Sequence, residues 1–401
     1  MSNMRRLSRP GCALLLAATA AACDHEAPRT ARVRGGAAFT ATAPASAVRA
    51  REIDRARNIY AGAGANALSP VAATAERRVY VPNSRSGTVS VIDPASYRVI
   101  QTLPTGAIPQ HVVPQYDLKR LWVLNNQSGT LTPIDPVTGS FGKSIPVDDP
   151  YNLYYTPDGK TAIVVAERRE RLDFRDPETM TLRSSLRTQC KGIDHMEFTA
   201  DGRYMIATCE FSGHLVKVDL VNRSVVGYLA LSVGWLHRMG MPQDIRSSPD
   251  GKLFYVADMK GNGVHVIDPV GFESLGFIPT GIGTHGLYPS RDGRSLYVTN
   301  RGWNTLLAGR HGPGSISVID TDRNEVVGRW TIPGGGSPDM GGVSADGREF
   351  WASGRYDDEV YVFDTIKGVL THRIPVGREP HGLCVWPQPG SYSLGHTGNM
   401  R

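Results

Sequence analysis

Between Tyr80 and Phe363 short apolar runs alternate with polar turns, and one pattern returns seven times. Each unit holds a short apolar strand, a turn, a strand of the Leu-Tyr-Val type, a glycine turn, a strand ending apolar-Asp, another turn and a last apolar strand. The second strands contain Val79-Tyr80-Val81, Leu121-Trp122-Val123, Ala162-Ile163-Val164, Met205-Ile206-Ala207, Phe254-Tyr255-Val256, Leu296-Tyr297-Val298 and Phe350-Trp351-Ala352. The third strands end at Asp93, Asp135, Asp176, Asp219, Asp268, Asp320 and Asp364. Turns such as Pro157-Asp158-Gly159 and Pro249-Asp250-Gly251 separate first from second strands, Asp bonding its own backbone and Gly accepting positive φ. Four short antiparallel strands in a repeat of ~41 residues describe a blade of a β-propeller.

Eleven residues before the centre of each second strand lies the start of the strand preceding it: Ser69, His111, Asn152, His195, Asp244 and Met340, with His285 one residue further away. The same step back from Tyr392 reaches His381, so residues 381–394 read as the inner strand pair of an eighth unit lacking its outer strands. A segment near residues 57–61 could supply one of these, closing the ring through the termini and removing an exposed edge. The expectation is an all-β, eight-bladed propeller of four antiparallel strands per blade. Seven blades with a C-terminal extension is the alternative.

Blades that follow in sequence place these starting positions around one mouth of a central channel. In order they are Ser69, His111, Asn152, His195, Asp244, His285, Met340 and His381, with histidine in every second unit. Imidazole, thioether and carboxylate all bind metals, and imidazole suits copper and iron among others. His111, His195, His285, His381, Asp244 and Met340 are therefore candidate metal ligands. A pocket for a small molecule or peptide is a second reading. The plainest is that these residues only cap strand ends, each imidazole bonding a nearby carbonyl.

Two long steps, 49 residues from His195 to Asp244 and 55 from His285 to Met340, add loops to the same face. They carry Trp235, His237, Arg238, Met239 and Met241 in one and Trp303, Arg310 and His311 in the other, and rigid scaffolds present function on such loops. Arg85, Arg168, Arg301 and Arg355, just past second strands, join that face. Guanidinium groups there suit carboxylate or phosphate, or are simply solvated.

The run Leu296-Tyr297-Val298-Thr299-Asn300 and its variants in every unit resemble the YVTN family of bacterial β-propeller repeats over about 330 residues. The resemblance is specific for fold and nearly silent on function, since members include surface-layer, periplasmic and cofactor-handling proteins. The ring and the C-terminal run Gly390-Ser391-Tyr392-Ser393-Leu394-Gly395-His396-Thr397 also resemble the eight-bladed haem domain of cytochrome-type nitrite reductases. That likeness implies haem as a candidate cofactor with His195 and His381 as axial ligands, and Arg301, Arg310 and Arg355 are the guanidinium groups available to its carboxylates. No Cys-x-x-Cys-His occurs, which excludes a self-contained two-haem reductase. Some propellers are lactonases that use carboxylates and a divalent ion on the axis, for which Asp244, Glu167 and Glu210 are the residues at hand. The function classes are thus a binding module acting through its loop-rich face, a metal- or haem-dependent oxidoreductase or cofactor-handling protein, and a lactonase-like hydrolase.

The amino terminus changes the picture of where this happens. Arg5, Arg6 and Arg9 precede an apolar stretch over residues 11–22 that ends Ala20-Ala21-Ala22-Cys23, the order of a secretory signal. The stretch is too short for the ~20 residues of a membrane-spanning helix. Small residues followed at once by Cys resemble the lipobox of bacterial lipoproteins, with Ala20 where that family usually has Leu, which implies a diacylated Cys23 as the new first residue; ordinary cleavage after Ala22 is the alternative. Residues 23–51 are Ala, Thr, Pro and Arg with almost no large apolar side chain, a composition that cannot offset ordering entropy. The expected organisation is a signal peptide over 1–22, a disordered tether over 23–51 and a single propeller domain over 52–401. The expected setting is a monomer on the periplasmic side of a bacterial membrane, or secreted, with a small-molecule, peptide or protein partner at the top face.

Charge and cysteines narrow this further. Without the three signal arginines, 41 basic residues face 38 acidic ones, which is no basic stripe for nucleic acid. Cys190 and Cys209 flank the inner hairpin of the fourth unit and are expected to form a disulfide in an oxidising compartment; the rival reading makes them thiolate ligands beside His195. Cys384 sits in a strand and is expected to be buried. No Gly-x-Ser-x-Gly, P-loop or zinc-protease helix motif is present.

Overall fold

The computed structural model describes residues 58–233, 238–303 and 312–401. The expected signal and tether with Cys23, together with Trp235, His237, Arg310 and His311, lie outside the described residues.

Each repeat folds into a four-stranded antiparallel sheet, and seven such sheets follow one another around a channel lined by their inner strands. Second strands such as Leu121–Asn125 and Ala162–Ala166 are buried at every position, because a blade is covered on both faces by its neighbours. Outer strands such as Ser224–Ala230 alternate between exposed and half-buried positions. The recurring Asp at the end of the third strand has a local cause. Asp93 Oδ1 accepts the Ala95 amide at 3.0 Å, and Asp219 Oδ1 accepts those of Val221 and Asn222 at 2.9 Å, which turns the chain toward the outer strand.

The expectation of eight blades is corrected to seven. Cys384–Trp386 does not begin a new blade; it pairs antiparallel with Arg78–Asn83, Cys384 opposite Tyr80 and Trp386 opposite Arg78. It thus supplies the inner strand of the first blade, whose other strands are Arg78–Asn83, Thr88–Asp93 and Arg98–Pro104. The first blade has no inner strand of its own, so the edge of Arg78–Asn83 would stand open, and the C-terminal strand satisfies it without any further sheet. The apolar spacing around Tyr392 mimics a repeat but has no partner strands to pair with.

Residues 58–77 form no outer strand. They make short 3-10 turns at Ala61–Ala63 and Ala72–Thr74 and cross the lower rim, where the Ile59 amide donates to the Pro249 carbonyl and the Asn66 amide to that of Ala345, both at 2.8 Å. Residues 387–401 cross the same rim, with the His396 amide bonded to the Leu153 carbonyl at 2.8 Å and the Asn399 amide group to Glu197 Oε1 at 3.1 Å. Gly395 makes the closest approach: its φ is +100°, and a Cβ there would stand 2.3 Å from the Leu153 carbonyl oxygen. Together the two segments cover the lower end of the channel. Cys190 and Cys209 are joined by a disulfide with Cα atoms 5.0 Å apart, and Cys384 is a buried free thiol.

Candidate functional site

The inner strands do not run straight to the channel mouth. In each of six blades the pairing register slips by one residue near the upper end, and a bulge of this kind sets two residues against one and re-aims both. The slips fall at Gln110-His111, Tyr151-Asn152, Asp194-His195, Gln243-Asp244, His285-Gly286 and Asp339-Met340. Pairing of Asn83 with Pro380 and of Tyr80 with Cys384 puts the same slip at His381-Gly382 in the first blade. A constant sequence offset therefore mixes two tiers. His381, Gln110, Tyr151, Asp194, Gln243, His285 and Asp339 belong to the upper tier, and His111, Asn152, His195 and Asp244 to the lower.

Two positions of the expected ring fall out of it. Ser69 lies on the lower rim, where its hydroxyl accepts the Ala72 amide at 3.1 Å. Met340 packs in an apolar cluster with Tyr288, Phe350 and Tyr361, its sulfur 3.8 Å from the Tyr288 hydroxyl. Asp339, which the offset passes over, takes the channel position in that blade. Gly382 has its own reason, since a Cβ there would stand 2.1 Å from His111 Cδ2.

Asp339 organises the upper tier. Its Oδ1 accepts from Arg301 Nε at 3.0 Å and lies 3.0 Å from His285 Nδ1, its Oδ2 accepts from His381 Nδ1 at 2.6 Å, and Arg355 Nη1 approaches to 3.5 Å. Burial opposes ionisation of this carboxyl, yet Arg301, His285 and His381 together hold it well below the usual carboxylate range. The imidazoles remain neutral, because burial and then the Arg355 charge bring His381 down to about 4, and burial and then Arg301 lower His285. His381 therefore donates through Nδ1 and turns Nε2 toward the Tyr151 hydroxyl, 3.5 Å away.

Above this tier opens a depression of about 230 Å³, lined among others by Gln110, Tyr151, Glu167, Glu210, Arg301 and Arg355. Of the two arginines that line it, Arg355 is the less tightly held, with a side chain 20% exposed and a buried Nη1 that lies 3.5 Å from Asp339 Oδ2 without a hydrogen bond. Arg301 is committed to Asp339, Arg168 to Asp149 at 2.8 Å, and Arg85 is an exposed side chain 3.6 Å from Glu379. Across the depression burial, then the neighbouring Glu210, pushes Glu167 up to about 7, and burial also raises Glu210. Met239 and Trp303, at the two long loops, are exposed.

The lower tier brings His111 and His195 together with His396, which the repeat offsets cannot find because the C-terminal tail lies outside the repeat. The ring centroids of His195 and His396 are 4.6 Å apart, those of His111 and His381 4.8 Å. Asn152 lies between two of them, its Nδ2 at 3.1 Å from His195 Nδ1 and 3.0 Å from His396 Nδ1. His111 Nδ1 meets the Tyr151 carbonyl at 3.0 Å. Burial lowers the pKa of all three, leaving neutral imidazoles. Asp244, a candidate ligand, takes up structural bonds, accepting the amides of Ile245 and Leu287 at 2.9 Å and lying 3.5 Å from Arg246, and its Oδ1 stands 3.7 Å from His396 Nε2.

A haem on the axis does not fit these residues. His195 and His381 lie in different tiers, both buried, with the His381 ring tied to Asp339 and His111 packed between. The space above them is smaller than the ~300–1,000 Å³ of sites for drug-sized ligands.

Fold and repeat define the class as a seven-bladed β-propeller of bacterial repeat type. Within that class the chain belongs to the YncE-like β-propeller family, whose sequence profile matches residues 56–389. No curated protein matches it significantly. Among solved structures it is similar to hydrazine synthase from Kuenenia stuttgartiensis, at 20% identity and a TM-score of 0.59 over 73% of this chain and 93% of that one. It is also similar to the dihydro-haem d1 dehydrogenase NirN, at 16% identity and a TM-score of 0.57 over 77% and 75% of the two chains. A putative 6-phosphogluconolactonase from Bacteroides uniformis gives 16% identity and a TM-score of 0.58 over 77% and 98%. At these identities the likeness is one of fold.

Proposed function

We propose that the protein is an extracytoplasmic, lipid-anchored binding protein that holds a small carboxylate- or phosphate-bearing molecule at the upper mouth of its channel. One observation carries the reading: the guanidinium of Arg355, its side chain 20% exposed, lines the depression while its buried Nη1 stays 3.5 Å from Asp339 Oδ2. Tyr151, Gln110 and Gln243 beside it offer further polar contacts to an anion. A guanidinium can grip such a group through two parallel bonds. The covered lower end makes the mouth the side of entry, and the cavity volume limits the ligand to a small molecule.

The test is calorimetric titration of the full chain with malonate and with inorganic phosphate. Saturable binding that weakens as salt rises, and that Arg355→Gln reduces at least ~10-fold, is the expected result, an interaction with a charged group contributing ~1.5–3 kcal/mol. If neither anion binds, or the variant binds both as well as the parent, the reading fails. Anchoring is tested separately. Cys23→Ser is expected to move the protein from the membrane to the soluble fraction, and a mature parent protein whose mass shows no acyl chain would remove the lipid from the proposal.

A further inference from the structure

Beneath the floor of the depression the lower tier holds atoms that anion binding at the mouth does not use. His111 comes from the second blade, His195 from the fourth and His396 from the C-terminal tail, and all three are fully buried. Each presents an Nε2 with no hydrogen-bond partner among the described residues. One ring nitrogen from each can be chosen so that all three lie within 4.8 Å of one another. Three nitrogens sharing one ion at ~2.0–2.1 Å stand ~3.4 Å apart, so side-chain rotations of about 1 Å would close the set.

We propose that His111, His195 and His396 form a mononuclear site for a late first-row transition-metal ion, copper or zinc. An all-imidazole donor set selects these ions over magnesium and calcium, which require oxygen. Three protein ligands leave a fourth position for water or for a molecule arriving from the mouth.

The outer contacts are those that orient ligating histidines. His111 donates Nδ1–H to the Tyr151 carbonyl, which leaves the Nε2 lone pair for the ion. Asn152 serves the other two. Its amide nitrogen faces both Nδ1 atoms while its oxygen accepts the Leu153 amide at 2.9 Å; a half-turn, which gives up the Leu153 bond, brings the oxygen there instead, to accept from both Nδ1–H groups and free both Nε2 lone pairs. Asn152 is thus a positioning residue, and Asn152→Asp, with two oxygens, needs no turn. Asp194 Oδ1, 3.1 Å from His195 Nε2, borders the site on the side of the mouth. The tail then has a role beyond covering the lower end, since Gly395 permits the approach that delivers His396.

The test uses the full chain, stripped with a chelator and dialysed separately against Zn²⁺, Cu²⁺ and Mg²⁺, with bound metal counted by elemental analysis and affinity measured by chelator competition. One Zn²⁺ or Cu²⁺ per chain and no Mg²⁺ are expected. His111→Ala, His195→Ala and His396→Ala should each weaken binding at least ~10-fold, Asn152→Asp should retain or tighten it, and His372→Ala in an outer strand should change nothing. Co²⁺ loaded into the parent chain should show the intense visible bands of a four-coordinate ion, a readout that stands even if a variant misfolds. Binding below one equivalent, affinity untouched by all three substitutions, or the faint spectrum of six-coordinate Co²⁺ overturns the proposal. None of these outcomes depends on whether an anion binds at the mouth.

Discussion

Asp339 is buried and Glu167 half-buried at the same mouth, and their surroundings drive the two carboxyls in opposite directions. Asp339 stays ionised because Arg301, Arg355 and the Nδ1–H of His381 converge on it. Glu167 has burial and Glu210 against it and rises to about 7 from 4.5. A carboxyl whose folded value is raised stabilises the fold fully below its unfolded value, and that contribution is lost as pH climbs through the folded one. Glu167→Gln, neutral at every pH, should therefore melt close to the parent near pH 4 and progressively above it between pH ~4.5 and 7. The gap should approach the order of 3 kcal/mol by pH 7, a rise from 4.5 to about 7 being worth ~1.4 kcal/mol for each pH unit; paired thermal melts across that range check it, and a gap that does not change with pH would count against it. Legibility in the sequence divides along the same line. Counting from second strands locates His111, His195, His285 and His381, because residue type and spacing are visible in one dimension. It passes over Asp339 for Met340, because the register slip that turns the aspartate inward is a property of paired strands.

Among the elements, the inner strands do the most with the least. Apolar alternation makes their lower halves pack between blades, while the slip near their upper ends releases two successive residues toward the channel. Polar groups then occupy a position buried by every neighbouring blade, where His381 bonds Asp339 while the Nε2 atoms of His111 and His195 have no partner among the described residues, a departure from the usual pairing of buried polar groups. The Asp-capped turns and the alternating strands follow from local chemistry, which is why seven units can be read directly from the chain. The C-terminal tail follows from nothing local. Its contacts with Leu153, Glu197 and Gly341 span the whole repeat array, so the sequence shows a run of small and polar residues and not the covering element that presents His396.

At the scale of the molecule, closure of the ring decides both blade number and stability. Cys384–Trp386 is only three residues long, yet it converts the open edge of Arg78–Asn83 into an internal strand and joins the last part of the chain to the first. Trp386 is 1% exposed and packs with Tyr80, Leu121 and Met400, so Trp386→Ala should cost ~3–5 kcal/mol through the cavity it leaves. In a domain of this size, where ~1 kcal/mol moves the melting temperature by roughly 2 °C, that is a drop of about 5–10 °C with the transition still cooperative. Ending the chain before Cys384 should do more, because it removes the closing strand and the tail together: the first blade would expose Val79, Tyr80 and Val81 along an unpaired edge, a template for association with other chains. The expected signs are a broadened or absent melting transition and aggregation at concentrations where the parent chain stays dispersed. An eighth blade built from residues 381–394 would make the opposite prediction, since its removal would leave the first blade with an inner strand of its own. A truncated chain that melts sharply within two degrees of the parent would therefore contradict closure through Cys384–Trp386.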